Sequence, residues 1–336
     1  MGLLGITRRL VAAGSAFACV LAGGTALAGA PSHATSLASA DSLLLAHSIP
    51  AKTVKALGDQ AAVLAQLLAS GSLAPAKVET AASSLLTVLR THDGGRPQPR
   101  PAALPPIGDC ASGGGASYDV FTNNTGFTVE SGTVTLGTTL NANPRNDAFY
   151  ASLGAYTGAG SVDVGIWSGG TGSNADSWYA YANGTLTHWA YGSFQFSQSQ
   201  DPKVLLSVLV GTNSLTLDAF NAQSDAAIGS SSFSESGYGF GSSGGGVGFY
   251  RFDSLAQNSE NLADGSSLTG QAWSDVAATP TGSSAEMVNP GIVSIAGPEC
   301  SKPEQRTVHV LSQTKWYASD VSIHYTNGSG GKGGKK

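Results

Sequence analysis

The sequence predicts a mainly β protein, a two-sheet antiparallel β-sandwich of the concanavalin-type jelly-roll class preceded by a small helical hairpin. From Cys110 to Thr326, short apolar runs alternate with polar residues at a period of two, and no helical pattern lies between them. In residues 35–92 the apolar side chains instead recur every three or four positions. Only 12% of the residues are charged and 45 are glycine, a composition typical of a secreted, turn-rich β protein.

Residues 1–30 are expected to be a signal peptide. Arg8 and Arg9 precede an apolar run over residues 10–27, and Ala26, Ala28 and Ala30 form two overlapping small-x-small cleavage sites. We therefore expect a secreted, extracellular protein. No later apolar run is long enough to predict a transmembrane segment after cleavage.

Residues 31–93 are predicted to form a helical hairpin. Leu57, Leu64 and Leu67 belong to an apolar stripe in an alanine-rich segment, which favours helix. Gly71 is expected to end the first helix, and Pro75 fits the first turn of the second. So small a unit cannot hold a stable core alone and needs a surface to pack against.

Charge separates the helical region from the β domain. Residues 31–106 contain six Lys and Arg against four Asp and Glu, whereas residues 107–326 contain six against eighteen, a net charge of −12. A domain this acidic repels phosphate backbones, so we expect no nucleic-acid partner. The charges predict an intramolecular contact of residues 35–92 with the β domain.

A proline-rich linker, residues 94–109, joins the two regions. Residues 31–93 are a possible pro-region, released by cleavage near Arg96 and Arg100, or a loosely attached spacer. The N-terminal sequence of the protein recovered from culture medium distinguishes them. A start near residues 97–107 supports removal, and a start between residues 29 and 35 in all functional protein contradicts it.

The β-sandwich domain is expected to span residues 110–326, followed by a disordered basic tail over residues 327–336. Asn183-Gly184 between two alternating runs predicts a type I′ hairpin. A second hairpin is predicted to join residues 203–210 to 215–220 through a four-residue connection. The glycine-rich loop 237–248 is expected to lie on the surface. Further short strands are predicted near residues 247–253, 268–274, 291–296, 307–311 and 320–325.

Two cysteines, Cys110 and Cys300, remain after signal removal. An even pair in an exported chain predicts one disulfide bond that closes the β region almost end to end. Two free thiols or intermolecular pairing are the alternatives. The bond requires the two Cα atoms to lie within about 7 Å of each other.

Aromatic residues concentrate between residues 149 and 196. Trp178 and Tyr179 are adjacent, so in a strand they point to opposite faces, and both faces cannot belong to the core. One set is therefore expected to be exposed or to line a groove, where flat rings suit sugars. The candidate ligand-binding residues are Trp178, Tyr179, Tyr181, Trp189 and Tyr191.

The sequence contains no established catalytic motif, and we expect neither a cofactor nor a metal. Gly241-Ser242-Ser243-Gly244-Gly245 matches a nucleophile elbow but lacks the strand-to-helix context. His188, His309 and His324 do not have metal-ligand spacing. The acidic loop around Glu260 and Asp264 has oxygen ligands that could hold Ca²⁺, but we interpret it as an acidic surface loop without a metal site. A glycosidase-type pair of carboxylates stays open.

Several segments resemble the YrpD-like family of secreted bacterial proteins. They are residues 163–168, 178–183, 250–257, 261–266 and 271–276, which read DVGIWS, WYAYAN, YRFDSLAQ, NLADGS and QAWSDV. The resemblance implies a secreted β-sandwich. The chain is more distantly similar to the sandwich of the eqolisins, or glutamic peptidases, which would imply a catalytic Gln and Glu. The strand 163–167 has no Gln, and Glu260 lacks that family's surrounding pattern.

The leading hypothesis is a secreted binding or envelope-associated protein whose ligand is a polysaccharide or cell-wall glycan. The alternatives are a secreted hydrolase with a carboxylate-based site, either a glycoside hydrolase or an eqolisin-like peptidase, and a structural envelope protein.

Overall fold

The computed structural model describes most of the helical and strand regions of the chain. The described residues are 33–58, 60–69, 71–92, 116–122, 126–140, 147–169, 176–241, 247–257, 266–280, 306–314 and 318–325. The expected signal peptide, the linker, Cys110, Cys300, the strand near 291–296 and the basic tail lie outside them, so these remain predictions.

The helical region contains four α-helices instead of the two that the sequence predicts. They are α1 His33–Ala46, α2 Ala51–Leu57, α3 Gln60–Ala69 and α4 Val78–His92. Left-handed backbone at Ser48 (φ 65°) and Gly58 (φ 55°) breaks the chain on either side of α2. Pro75 opens a 3₁₀ turn, Pro75–Lys77, that leads into α4. The apolar spacing continues across these breaks, so periodicity alone could not reveal them.

The described part of the β region contains fourteen strands. They are β1 Ala116–Phe121, β2 Phe127–Thr135, β3 Thr138–Leu140, β4 Asp147–Thr157, β5 Gly160–Gly169, β6 Ser177–Gly184, β7 His188–Ser197, β8 Lys203–Gly211, β9 Ser214–Asn221, β10 Ala227–Ser234, β11 Gly248–Gln257, β12 Ser267–Pro280, β13 Arg306–Thr314 and β14 Ala318–Tyr325.

These strands form two antiparallel sheets packed face to face. The six-stranded sheet has the order β1-β11-β4-β5-β6-β7, and the eight-stranded sheet has the order β10-β9-β8-β2-β12-β14-β13, with β3 paired to β12. The predicted two-sheet antiparallel β-sandwich with a small N-terminal helical region is confirmed.

The first predicted hairpin exists, but its turn is displaced. Asn183 and Gly184 are the last residues of β6 and pair with Trp189 and His188, so the turn lies at residues 185–187. The prediction of a type I′ turn at Asn183-Gly184 is therefore wrong. The second hairpin is confirmed with a shorter connection, since Gly211 pairs with Ser214.

The main core lies between the two sheets and takes the inward side chains of both, including Trp178, Phe249 and Trp273. Tyr238 and Phe240 are also buried in it and stack with their ring centroids 5.1 Å apart. The expectation that the loop 237–248 is purely a surface excursion is therefore wrong for these two residues, whose rings fill space between the sheets.

The four helices cover the outer face of the eight-stranded sheet. Their apolar side chains pack on Val129, Leu205, Leu209 and Phe220 of that sheet. Lys77 Nζ lies 3.0 Å from the Asp225 carboxylate. The Ala227 amide donates a hydrogen bond of 3.0 Å to Ser84 Oγ. The intramolecular contact expected from the sequence is thus present, while later removal of the helical layer stays a prediction.

None of the helices in the described part of the chain combines the length and the hydrophobicity that crossing a bilayer requires.

Candidate functional site

The outer face of the six-stranded sheet carries a continuous cluster of aromatic side chains, which we call the aromatic face. Alternation along the strands produces it: in β4, Phe149 and Ala151 enter the core, and Tyr150 therefore points outward. The aromatic face consists of Tyr150, Tyr156, Trp167, Tyr179, Tyr181, Trp189, Tyr191, Tyr250 and Phe252.

The rings of the aromatic face hold one another in place. Tyr181 and Trp189 stack with centroids 4.6 Å apart and planes inclined by 12°. Trp167 and Tyr179 stack at 5.2 Å, and Trp167 meets Trp189 edge to face at 5.9 Å. Such pairs stabilise each ring beyond its burial alone. The surface is therefore rigid before any ligand arrives.

The aromatic face has a buried layer of rings next to the sheet and a half-exposed layer of rings above it. Tyr181 and Trp167 are almost completely buried. Tyr179, Trp189 and Tyr191 are half-buried, so part of each ring reaches the surface. Four of the five candidate residues from the sequence therefore lie together, and three of them are open to contact.

The fifth candidate, Trp178, lies on the opposite side of the sheet. Its ring is fully buried in the core between the sheets, and its Nε1 donates a hydrogen bond of 3.0 Å to Gln198 Oε1. A ligand on the aromatic face cannot reach it. We therefore restrict the candidate site to the other four residues.

Two glycines make room for rings of the aromatic face. A Cβ atom on Gly154 would lie 2.3 Å from Cζ of Tyr250, and one on Gly248 would lie 2.1 Å from Cζ of Tyr156. Each ring therefore lies directly on bare backbone. Sequence reasoning did not identify these two glycine positions, although Gly154 shares the period-two positions of Tyr150 and Tyr156 in β4.

Among the described side chains of β4, β5, β6, β7 and β11, one carboxylate lies beside the tyrosines. Asp163 of β5 is only 5% exposed and accepts a hydrogen bond from the Tyr250 hydroxyl. Beside it, the Tyr181 hydroxyl and Ser152 Oγ are hydrogen-bonded at 2.5 Å. Burial, and after it the Asp163 charge, raises the pKa of Tyr150, Tyr181 and Tyr250. These hydroxyls therefore stay protonated at neutral pH. Sequence reasoning missed Asp163, whose signal is an acid at an outward position of an alternating strand.

The β6–β7 turn positions Trp189 through contacts with the segment after β10. The Tyr238 hydroxyl accepts hydrogen bonds from the amides of Leu186 (2.5 Å) and Thr187 (3.3 Å). The Thr187 hydroxyl donates to the Glu235 carboxylate. Burial raises the pKa of Glu235, and the hydrogen bond from Thr187 lowers it by less. A distant segment thus sets where β7 begins and where Trp189 points.

Of the other sequence candidates, those that the structure describes do not assemble into a second site. Within the described ranges, no group of three His, Cys, Asp or Glu residues is placed to hold a metal ion. His188 is exposed beside the β6–β7 turn. Glu260, Asp264 and the cysteine pair fall outside the described residues, as do the side chains of His309 and His324.

Comparison with models of protein families finds no match, and comparison with curated protein sequences finds none either. The YrpD-like resemblance therefore stays a prediction.

Several solved structures are similar in fold. Scytalido-glutamic peptidase is 13% identical, with a TM-score of 0.42, over 63% of this chain and 98% of the peptidase. A tailspike protein of an Escherichia coli O157:H7 bacteriophage is 8% identical, with a TM-score of 0.28, over 53% of this chain and 27% of the tailspike. A marine PL7 alginate lyase from Zobellia galactanivorans is 12% identical, with a TM-score of 0.24, over 44% of this chain and 64% of the lyase. These similarities are too remote to transfer a residue role or an activity.

Proposed function

We propose that this protein is a secreted, envelope-associated polysaccharide-binding protein whose binding surface is the aromatic face. The observation that carries the proposal is the half-exposed layer of Tyr179, Trp189 and Tyr191, supported from below by buried rings. Sugar rings present flat C–H surfaces that pack on the faces of aromatic rings.

The arrangement of the rings suits binding more than stability. The rings on the inner side of the sheet already supply the core, including Trp178 and Phe149. The second set, on the outer side, leaves part of its apolar area in contact with water. Partly exposed aromatic rings grouped on one face are a feature of interaction surfaces. Because the rings are already fixed by stacking, a ligand loses little affinity to their ordering.

The surface is also equipped to recognise hydroxyl groups. Tyr179 and Tyr191 each carry a phenolic hydroxyl on a half-exposed ring, and such a group both donates and accepts hydrogen bonds. Trp189 and Tyr191 lie 5.9 Å apart, and both meet Trp167, which stacks on Tyr179 at 5.2 Å. Apolar contact would then supply affinity, and the hydroxyls would orient the sugar.

Truncation of the exposed rings tests the proposal. We expect the Trp189→Ala, Tyr191→Ala double variant to lose about 2 kcal/mol of binding free energy, roughly thirtyfold in Kd, because central aromatic residues dominate such interfaces. Affinity electrophoresis through gels containing neutral polysaccharides, followed by calorimetry on the best ligand, measures the loss.

The matched control is Leu140→Ala, which removes an apolar side chain that is 59% exposed on β3 of the other sheet. It should bind as the wild type does. A double variant that keeps its melting temperature and its affinity for every glycan bound by the wild type would contradict the proposal.

The same panel distinguishes the alternative functions. Release of reducing ends, or cleavage of casein, abolished by one Asp or Glu substitution would indicate a hydrolase. Neither binding nor turnover on any polysaccharide would indicate a structural envelope protein.

A further inference from the structure

The aromatic face has an unbalanced charge. Among the described outward side chains of β4, β5, β6, β7 and β11, Asp163 is the one carboxylate, and no Lys or Arg is present. The cation in the described part of these strands is Arg251, which is fully buried. Its side chain points to the inward side of β11, whereas its sequence neighbours Tyr250 and Phe252 belong to the aromatic face.

The charge of Asp163 acts across several strands. Together with burial it raises the pKa of tyrosines on β4, β6 and β11, namely Tyr150, Tyr181 and Tyr250. The charge is 5% exposed and surrounded by rings, so neither water nor salt screens it as they would screen a surface carboxylate. In the sheet, Asp163 pairs with Asn183 of β6 and Asn183 pairs with Trp189 of β7, so one cross-strand row joins Asp163 to the half-exposed layer.

The aromatic rings also favour a positively charged group over a negatively charged one. The face of an aromatic ring is the negative pole of its quadrupole, and an ammonium group above a Trp or Tyr ring is attracted to it. Trp189, stacked on Tyr181 at 4.6 Å, presents such a surface two strands away from Asp163. The net charge of −12 over residues 107–326 has the same sign at long range.

We propose that the aromatic face selects amine-bearing polysaccharides, built from sugars with protonated amino groups, over neutral ones, and neutral ones over carboxylated ones. This inference rests on the proposed function and names its ligand class. Asp163 is the selecting residue, and its charge attracts an ammonium group held against the rings of Trp189 and Tyr191.

The test compares three oligosaccharides of equal length, made of glucosamine, N-acetylglucosamine or galacturonic acid. Binding to the full-length protein is measured by calorimetry at a mildly acidic pH at which the amine is protonated. We expect the glucosamine oligomer to bind at least about tenfold more tightly than the galacturonate oligomer, with the acetylated one between them.

Two variants locate the source of the preference. Asp163→Asn should reduce the glucosamine-to-galacturonate ratio by about three- to tenfold. Asp275→Asn removes the same net charge from an exposed position of β12, where asparagine tolerates the left-handed φ of 56°, and should leave the ratio unchanged. Because surface charges are screened, part of the wild-type preference should survive in high salt.

The possible failures are distinguishable. If the neutral oligomer binds and the Trp189→Ala, Tyr191→Ala variant loses it, but the wild type shows no charge preference, the inference fails and the proposed function stands. A preference that vanishes completely in high salt would attribute selection to overall charge and overturn the role of Asp163. If no oligomer binds, both statements fail. The wild-type ratio and its salt dependence decide the matter even if Asp163→Asn does not fold.

Discussion

Replacing Asp218 with asparagine should stabilise the protein by about 4 kcal/mol at about pH 8 and have little effect at about pH 4. Asp218 lies in β9, opposite Ser207 of β8 and Ser230 of β10. It is fully buried on the same sheet face as Phe220, which packs against the helical layer. A carboxylate here must give up most of its hydration.

The direction of the pH effect follows from the pKa. Burial raises the pKa of Asp218 from 3.8 to about 7, and the Ser230 hydroxyl lowers it by less. The pKa of Asp218 is higher in the folded state than in the unfolded state. The protein therefore has its full stability below the unfolded pKa of 3.8 and becomes less stable as the pH rises through about 7. A shift of about three units corresponds to about 4 kcal/mol, which asparagine avoids because it does not titrate.

Denaturant unfolding of the wild type and of Asp218→Asn across this pH range measures the effect. The wild type should lose stability toward higher pH relative to the variant, and the two curves should converge in acid. Asp275→Asn, an exposed carboxyl on β12, is the control and should follow the wild type. Parallel curves for wild type and Asp218→Asn at every pH would contradict a penalty for burying Asp218.

Replacing Arg251 with methionine should destabilise the fold by about 3–5 kcal/mol. Arg251 is completely buried between the sheets, on the same side of β11 as Asp253. Its charge acts on Glu130 of β2, which is also completely buried. Methionine keeps most of the length and apolar volume but removes the cation, so buried negative charge loses its compensation.

The pH dependence identifies Glu130 as the affected group. Burial raises the pKa of Glu130 well above its usual value of 4.5, and Arg251 lowers it. Without Arg251 only a backbone hydrogen bond from Gly154 opposes the burial effect, so the loss of stability should grow as the pH rises and Glu130 is forced to ionise. Asp253 keeps hydrogen bonds from Gln271 Nε2 (2.5 Å) and Trp273 Nε1 (2.8 Å) and should contribute less.

The double variant Glu130→Gln, Arg251→Met supplies the control, because it removes both charges and should recover much of the loss. Unfolding free energies of the wild type and the two variants at two pH values make the comparison. An Arg251→Met protein within about 1 kcal/mol of the wild type at both pH values would contradict the assignment.

The architecture could be predicted because it follows from local periodicity. The alternation of residues 161–167 recurs in β5, where Val162, Val164 and Ile166 enter the core. The helical spacing of residues 35–92 recurs in α1 to α4. In both cases, the spacing of apolar residues indicates which face of the helix or strand is buried. This spacing can be read from residues close together in the sequence.

The turn of the β6–β7 hairpin could not be predicted from neighbouring residues. Asn183-Gly184 has the local preference for a tight turn, yet both residues stay in β6 and the chain turns directly after them, at residues 185–187. The hydroxyl of Tyr238, more than fifty residues away, accepts hydrogen bonds from the amides of Leu186 and Thr187 and so stabilises the turn at residues 185–187. A long-range contact outweighs a local preference that is worth only a small free energy.

The sequence by itself determined that the hairpin of residues 177–191 places aromatic rings on two faces, because the period of a strand is two. Only the tertiary structure decided which face is the core: Trp178 meets the opposite sheet, while Tyr181 and Trp189 stack on the outside. The same holds for Asp163, Asp218 and Arg251, whose surroundings come from strands distant in sequence. Charge and residue type are local properties, whereas burial, and with it pKa and affinity, depends on what the rest of the chain packs against each group.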